Sequence, residues 1–329
     1  MSKKLLLLST GGTIASSVSD SGLVPKESGE DLLKLLGEMP YNIDVKDILQ
    51  LDSSNIQPEE WKFIAEQIYK YRNDYDGIVL SHGTDTMAYT ASMLSFMLQH
   101  IEIPVVLTGS QVPINVVLSD APDNLRLAFA AAAVCHPGIY LAFDRKIMLG
   151  CRTVKVRTIN FNAFESVNVP PVATVTSDGI VFNYQPKIEN KKCVLNTKID
   201  THVSLVKLFP GFDPELLFAM VKSGCQGIVI EAYGLGGMNY IRRNLVGAIG
   251  KLIRMGIPVI ASSQCLYERS DLTKYEVGRL ALLEGAISAG DMTSESAITK
   301  LMWGLGQRMD VHEISEFFNK DIAGEITLK

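Results

Sequence analysis

Apolar runs that never alternate with polar residues constrain this chain most. LLLLS at 5–9, GIVLSH at 77–82, IPVVLTG at 103–109 and GIYLAF at 138–143 are short and almost wholly apolar until their last residues. A strand that reads this way is buried on both faces, as in a parallel sheet covered by helices. The stretches between the runs supply such helices. EDLLKLLGEM follows the first, PEEWKFIAEQIYKYR follows VKDILQL, and helical segments near 87–98 and at DNLRLAFAAAAVC separate the later runs. Pro58 suits a first helical turn, and Trp61, Ile64, Ala65 and Ile68 fall on one face of that helix.

Near residue 146 the texture changes. KIMLGCRTVKVRT and PVATVTSDGIVFNY alternate more, and Asp178-Gly179 is a hairpin signal. A polar, lysine-bearing segment then gives way to a second strand–helix rhythm: VSLVKLF, DPELLFAMVKS, GIVIEAYG, a helix near 241–255, IPVIASS, and helices near 293–306 and 310–320. The expected fold class is α/β with two α/β domains. A larger N-terminal domain, 1–185, carries a mostly parallel sheet with helices on both faces. A linker follows at 186–201, and then a smaller C-terminal parallel α/β domain at 202–329.

A chain of 329 residues, 47% hydrophobic and 20% charged, is globular, and its net charge of −5 offers no broad basic field to nucleic acid or anionic lipid. The longest apolar run, 127–135, is far short of a membrane span. Lys3-Lys4 before LLLL imitates a signal peptide, but the apolar stretch stops after four residues, so the expected location is cytoplasmic. Five widely spaced cysteines without a CxxC pair suit reduced, mostly buried thiols. Five histidines without ligand spacing give no expectation of a metal.

In such sheets ligands bind beyond the carboxyl ends of the strands. Polar clusters stand there four times: STGGT, DSSN, SHGTDT and TGSQ each follow a strand-like run. The paired glycines of STGGT admit three readings. They can cradle a phosphate, aim Thr13 as a nucleophile, or make an ordinary tight turn. TGGTIASSV fits neither the Walker nor the dinucleotide pattern, so no phosphate cofactor is expected. Thr13 and Thr84 each follow a glycine, and a hydroxyl needs a base or a polarising group before it attacks a carbonyl. Lys155 could serve as that base if desolvated, or be an ordinary solvated lysine. His82 has no evident partner in the sequence and reads as structural.

TGGTIAS, DSSNIQPEEW, SHGTDTMAYTAS, LTGSQ, RTVKVRTINFNAFES, YGLGGMN and KLMWGLGQ together closely resemble the bacterial L-asparaginases, nearest their cytoplasmic type I branch, in order over nearly the whole chain. The resemblance implies hydrolysis of L-asparagine to L-aspartate and ammonia without cofactor or metal. Thr13 would attack the side-chain amide carbon and carry a β-aspartyl ester. Thr84, Asp85 and Lys155 would be the second catalytic cluster, and Asp85 would also hold the substrate ammonium. Ser53, flanked by Asp52 and Ser54, would receive the α-carboxylate with nearby backbone N–H groups, and Thr84 would border the same pocket. The resemblance further implies a homodimer or homotetramer in which Asn239 reaches a neighbour's site. Asn239 as a loop-capping amide is the competing reading.

Two positions depart from the family pattern. Leu23 stands where many members carry a flap tyrosine, within a segment, 16–29, expected to be a mobile flap. Glu231 in IEAYG stands where some type I members place an arginine that binds a second, regulatory asparagine, although Cys265 matches that pocket. A carboxylate there repels a ligand carboxylate, so hyperbolic kinetics are expected. The alternatives are an amidase acting on glutamine or on an aminoacyl-tRNA amide, or a non-catalytic amino-acid sensor. The tRNA version would want a basic surface and an appended domain. The sensor should lack a hydroxyl or the lysine, and the chain has them all.

Overall fold

The computed structural model describes residues 2–19, 22–25, 27–187 and 191–328, with the backbone alone at 17–19 and 22–25. The chain folds as two compact units, Met1–Thr197 and Lys198–Lys329.

The first unit is built on an eight-stranded sheet. Its strands are β1 (Lys4–Gly11), β2 (Asn42–Leu51), β3 (Gly77–Ser81), β4 (Pro104–Thr108), β5 (Gly138–Phe143), β6 (Lys146–Leu149), β7 (Ala173–Thr176) and β8 (Gly179–Phe182). Their spatial order is β8-β7-β6-β5-β4-β3-β1-β2. From β5 to β2 the strands are parallel, and β6, β7 and β8 add antiparallel neighbours. The apolar runs lie where two-sided burial requires: Leu5 to Leu8, Ile78 to Leu80 and Val105 to Leu107 are fully buried. The helices are α1 (Gly29–Leu36), α2 (Pro58–Tyr71), α3 (Met87–Met97) and α4 (Ala121–Val134). α2 buries Trp61, Ile64, Ala65 and Ile68 on one face, whereas α3 is buried at every position but Tyr89.

The connectivity matters for the site. The chain leaves β1, places β2 on one side of it, and then crosses to place β3 on the other. The strand order reverses at β1, and in such sheets ligands bind beyond the carboxyl ends of the strands at a reversal of this kind. The hairpin that Asp178-Gly179 signals forms there: Thr176 pairs with Gly179, so Ser177-Asp178 are the loop. Gly179 takes the left-handed φ of 94° that such a tight reversal needs.

The second unit carries four parallel strands in sequential order, β9 (Val203–Lys207), β10 (Gly227–Ala232), β11 (Val259–Ser263) and β12 (Ile287–Ser288). Its helices are α5 (Glu215–Lys222), α6 (Leu245–Arg254), α7 (Glu276–Leu283), α8 (Ser294–Gly306) and α9 (Val311–Phe318). The two α/β units match the expected fold class. α7 and β12 are elements that the sequence pattern does not announce. α7 leaves Leu283 exposed and contains Gly278, whose Cα packs so closely on the Leu272 backbone that a methyl would come within 2.6 Å of its carbonyl oxygen. Packing holds this helix against a poor propensity.

Among the described residues, three short antiparallel pairs stand outside the large sheets: Ser16–Ser19 with Gly22–Pro25, Leu98–Gln99 with Val194–Leu195, and Thr153–Lys155 with Phe164–Ser166. The first lies within the expected flap, where residues 20, 21 and 26 and the Leu23 side chain fall outside the described residues. Among the described residues, no helix is long and apolar enough to cross a membrane. None of their His, Cys, Asp and Glu side chains gather as a metal would need. All five cysteines are free, four of them buried and Cys265 exposed. Burial pushes the Cys135 thiol up to about 12 and Cys193 up to about 11, so neither is a nucleophile near neutral pH.

Candidate active site

The carboxyl ends of β2, β1, β3 and β4 lie side by side and are stitched together just past the sheet. Gly12 N–H donates to the Leu51 carbonyl at 2.9 Å, Thr10 Oγ1 donates to the Ser81 carbonyl at 2.7 Å, and His82 N–H donates to the Thr108 carbonyl at 2.8 Å. The four polar clusters of the sequence therefore share one edge.

Gly12 has φ 80° and ψ −179°, a backbone state open to glycine. It turns the chain from β1 into a single helical turn that begins with Thr13, whose side chain is partly buried. A methyl on Gly12 would lie 2.4 Å from the Gly83 nitrogen, and one on Gly83 would lie 2.6 Å from Ser53 Oγ. The paired glycines Gly11 and Gly12 stand against the Leu51 and Gly83 backbones. The space they leave is filled by neighbouring backbone, so that three loops close on one another.

Lys155 joins the site from the short Thr153–Lys155 strand. Its Nζ donates to Thr84 Oγ1 at 2.8 Å and to Asp85 Oδ1 at 2.6 Å. The lysine side chain is 18% exposed and that of Asp85 63%, so the pair has one protected and one open end. A solvated surface position is thereby ruled out for Lys155. Its strand is held by the Lys155–Phe164 pairing and by Arg157, which donates to the Asn162 carbonyl at 2.9 Å and pairs with Glu165 at 2.7 Å.

Ser53 begins a helical turn after β2 and is buried. Its Oγ accepts from the Asp85 N–H at 3.2 Å, and its carbonyl accepts from Thr86 Oγ1 at 2.7 Å. Asp52 and Ser54 engage each other: Asp52 Oδ1 accepts from the Ser54 N–H at 2.9 Å and from its hydroxyl at 2.5 Å. The structure thus brings Ser53, Thr84, Asp85 and Lys155 together, with Thr13 following the glycine that abuts Gly83. Asn239 lies in the second unit, where its Nδ2 donates to the carbonyls of Arg242, at 2.9 Å, and of Arg243. The amide does cap its own loop. Glu231, at the end of β10, accepts from Ser294 Oγ at 2.6 Å and is 4.0 Å from Lys207 Nζ, so its carboxylate is tied to the start of α8.

His82 proves to have partners that the sequence hides. It is fully buried; Nδ1–H donates to the Gly83 carbonyl at 2.7 Å, and Nε2 accepts from Thr90 Oγ1 at 2.9 Å. Thr90 Oγ1 in turn accepts from Trp61 Nε1–H at 3.0 Å. Every donor in this line has an acceptor only when the imidazole is neutral. Burial lowers the ring from 6.5 to about 4. Between those values the unfolded chain binds the proton and the folded one does not. Stability is therefore fully present above pH 6.5 and falls as pH drops through the window. The loss by pH 4 should be about 3 kcal/mol. Urea unfolding from pH 7 to 4 measures it, and His82→Asn should flatten the slope. An unchanged slope in that variant would place the acid-labile group elsewhere.

Gln111, the last residue of the TGSQ cluster, belongs to the site although the sequence gives it no partner. Its Oε1 accepts from Thr84 Oγ1 at 3.3 Å, and its Nε2 donates to the Asn160 carbonyl at 3.3 Å. Its backbone is fixed by Asp120, which accepts from the Gln111 N–H at 3.0 Å and the Val112 N–H at 3.1 Å. Burial raises the Asp120 carboxyl, and those N–H donors oppose the rise.

Comparison with known proteins gives this geometry a family. The model "Asparaginase, N-terminal" matches residues 4–188, and "Glutaminase/Asparaginase C-terminal domain" matches 202–318. The chain belongs to the asparaginase family. It is 47% identical to an L-asparaginase of Thermococcus kodakarensis over 98% of this chain and 99% of that protein. The solved structure of the thermostable L-asparaginase from that organism superposes with a TM-score of 0.95, covering 99% of this chain and all of the other. L-asparaginase I from Vibrio cholerae is 30% identical with a TM-score of 0.88, each chain wholly covered. A glutamyl-tRNA(Gln) amidotransferase component from Methanosphaera stadtmanae is 37% identical over 98% of this chain and 77% of that protein. A relative at 47% identity is archaeal, so the bacterial attribution suggested by the sequence motifs is not upheld.

Proposed function

We propose that this protein is an L-asparagine amidohydrolase of the type I branch that forms L-aspartate and ammonia through an ester on Thr13. The observation that carries the reading is the Lys155–Thr84–Asp85 cluster, joined through the Asp85 N–H to Ser53 at the carboxyl end of the sheet. Identity of 47% to an L-asparaginase over nearly both chains supports it, as does similarity to L-asparaginase I from Vibrio cholerae.

The chemistry follows from the residue types. The Thr13 hydroxyl oxygen adds to the amide carbon, the C–N bond breaks, and the hydroxyl proton leaves with the nitrogen as ammonia. Water then adds to the ester, the bond to Thr13 Oγ1 breaks, and the threonine regains its proton. Asp85 has an open end for the substrate ammonium, while Lys155 holds its other oxygen. Ser53 and the backbone N–H groups near it would receive the α-carboxylate. Lys155 places positive charge beside the attacking hydroxyls, which lowers the cost of the anionic intermediate. Homo-oligomerisation, with Asn239 facing a neighbour through its amide oxygen, and a cytoplasmic location belong to the same reading.

Ammonia release from free asparagine, free glutamine and an amidated aminoacyl-tRNA tests it. Turnover with asparagine is expected; activity confined to glutamine or to the tRNA would overturn the asparagine reading. Thr84→Val and Lys155→Met should each lower kcat at least about a hundredfold, the scale of lost acid–base function. Near-native rates in both would remove the cluster from the mechanism.

A further inference from the structure

We propose that Gln111 is a positioning residue that accepts the Thr84 hydroxyl's hydrogen bond and leaves the Thr84 oxygen facing the reaction site as an acceptor only. The inference rests on the asparaginase reading. Its starting point is the amide's orientation. The Asn160 carbonyl can only accept, so the Gln111 NH2 must face it and Oε1 must face Thr84. An amide oxygen cannot donate, so Thr84 Oγ1 must donate to it.

That assignment fixes the rest of Thr84. One lone pair of Oγ1 accepts from Lys155 Nζ at 2.8 Å, and its single proton is directed to Gln111. What remains is the second lone pair. A water, or the Thr13 hydroxyl, that meets Thr84 there can do so only as a donor. A nucleophile that donates its proton to Thr84 keeps its own lone pair free for the carbonyl carbon. If Thr84 could turn its proton inward, it would occupy that lone pair and block attack. At 3.3 Å the Thr84–Gln111 bond biases the hydroxyl without locking it. The Asp120 carboxylate makes the bias reproducible, because it pins the Gln111 and Val112 N–H groups and so the point from which the side chain extends.

Gln111→Met keeps the side-chain length and removes the acceptor. Its kcat for asparagine should fall about tenfold with KM within about twofold of wild type, since a neutral hydrogen bond biases an orientation by about that factor. Gln111→Glu keeps an acceptor toward Thr84 in either protonation state, because a neutral carboxyl can donate to Asn160 and still accept from Thr84. It should restore kcat to within about threefold. Gln111→Leu takes the place of the methionine variant if that one does not fold. A methionine or leucine variant within about twofold of wild-type kcat overturns the proposal. So does a glutamate variant as impaired as the apolar one, or a change confined to KM. Wild-type protein without ammonia release from asparagine would overturn the functional reading and this inference with it. Active wild type with equal variants would overturn the inference alone.

Discussion

Thr13→Ala is expected to abolish ammonia release from asparagine while leaving the protein folded and able to bind aspartate. Removing a nucleophile from a group that acts as a unit costs on the order of 10⁴-fold or more in kcat. The fold should tolerate the change because the shape of this turn is set by other atoms. Gly12 takes φ 80° and its N–H donates to Leu51, while Ser16 Oγ donates to the Gly12 carbonyl at 2.9 Å. Thr13 itself is only partly buried, so loss of its hydroxyl and methyl removes little packing. Aspartate binding should survive because the Asp85 N–H donates to Ser53 and Lys155 holds the Asp85 carboxylate, neither contact passing through Thr13. The checks are ammonia release under substrate saturation and calorimetric titration with aspartate. Comparable turnover in the variant would assign the nucleophile to another hydroxyl.

How much of this is legible in the sequence depends on whether local chemistry or tertiary packing makes the decision. Runs such as GIVLSH and IPVVLTG declare two-sided burial by themselves, and a parallel sheet then obliges the residues after each run to share an edge. That STGGT, DSSN, SHGTDT and TGSQ stand along one edge of the sheet therefore follows from the sequence alone. What the sequence does not reveal is which strands are neighbours, and so which glycine touches which loop. Gly83 reads as a turn residue until Gly12 is found against it. His82 reads as unpartnered because Thr90 reaches it from the following helix, with Trp61 of the preceding helix donating to Thr90 in turn. Gln111 sits at a strand end like many solvated amides, and only the Asn160 carbonyl fixes which end of it faces Thr84. Glu231 reads as a free charge facing a pocket, but Ser294 and Lys207 already engage it.

Lys300 is the extreme case, and its removal should cost more stability than any other single surface-like residue in the second unit. Lys300 lies within α8, and both it and Glu325 are fully buried. Lys300 Nζ donates to Glu325 Oε1 at 2.5 Å and to the Lys320 carbonyl at 2.6 Å, and lies 4.9 Å from the centre of the Phe317 ring. The other carboxylate oxygen accepts from the N–H groups of Ile322, at 3.0 Å, and Ala323, at 2.7 Å. The ion pair thus fastens the segment after α9 onto α8. Two charges taken out of water gain little over apolar residues of the same size, but removing one partner strands the other. Lys300→Met should therefore lower unfolding free energy by about 3–5 kcal/mol, a large share of the roughly 5–15 kcal/mol typical of a domain. Glu325→Gln placed on that background removes the stranded charge and keeps an oxygen for the Ile322 and Ala323 N–H groups. The double variant should consequently be more stable than Lys300→Met alone, although it lacks one more native group. Urea unfolding of the wild type, both single variants and the double closes the cycle. If the two losses simply add, the buried charges are not coupled as this geometry requires.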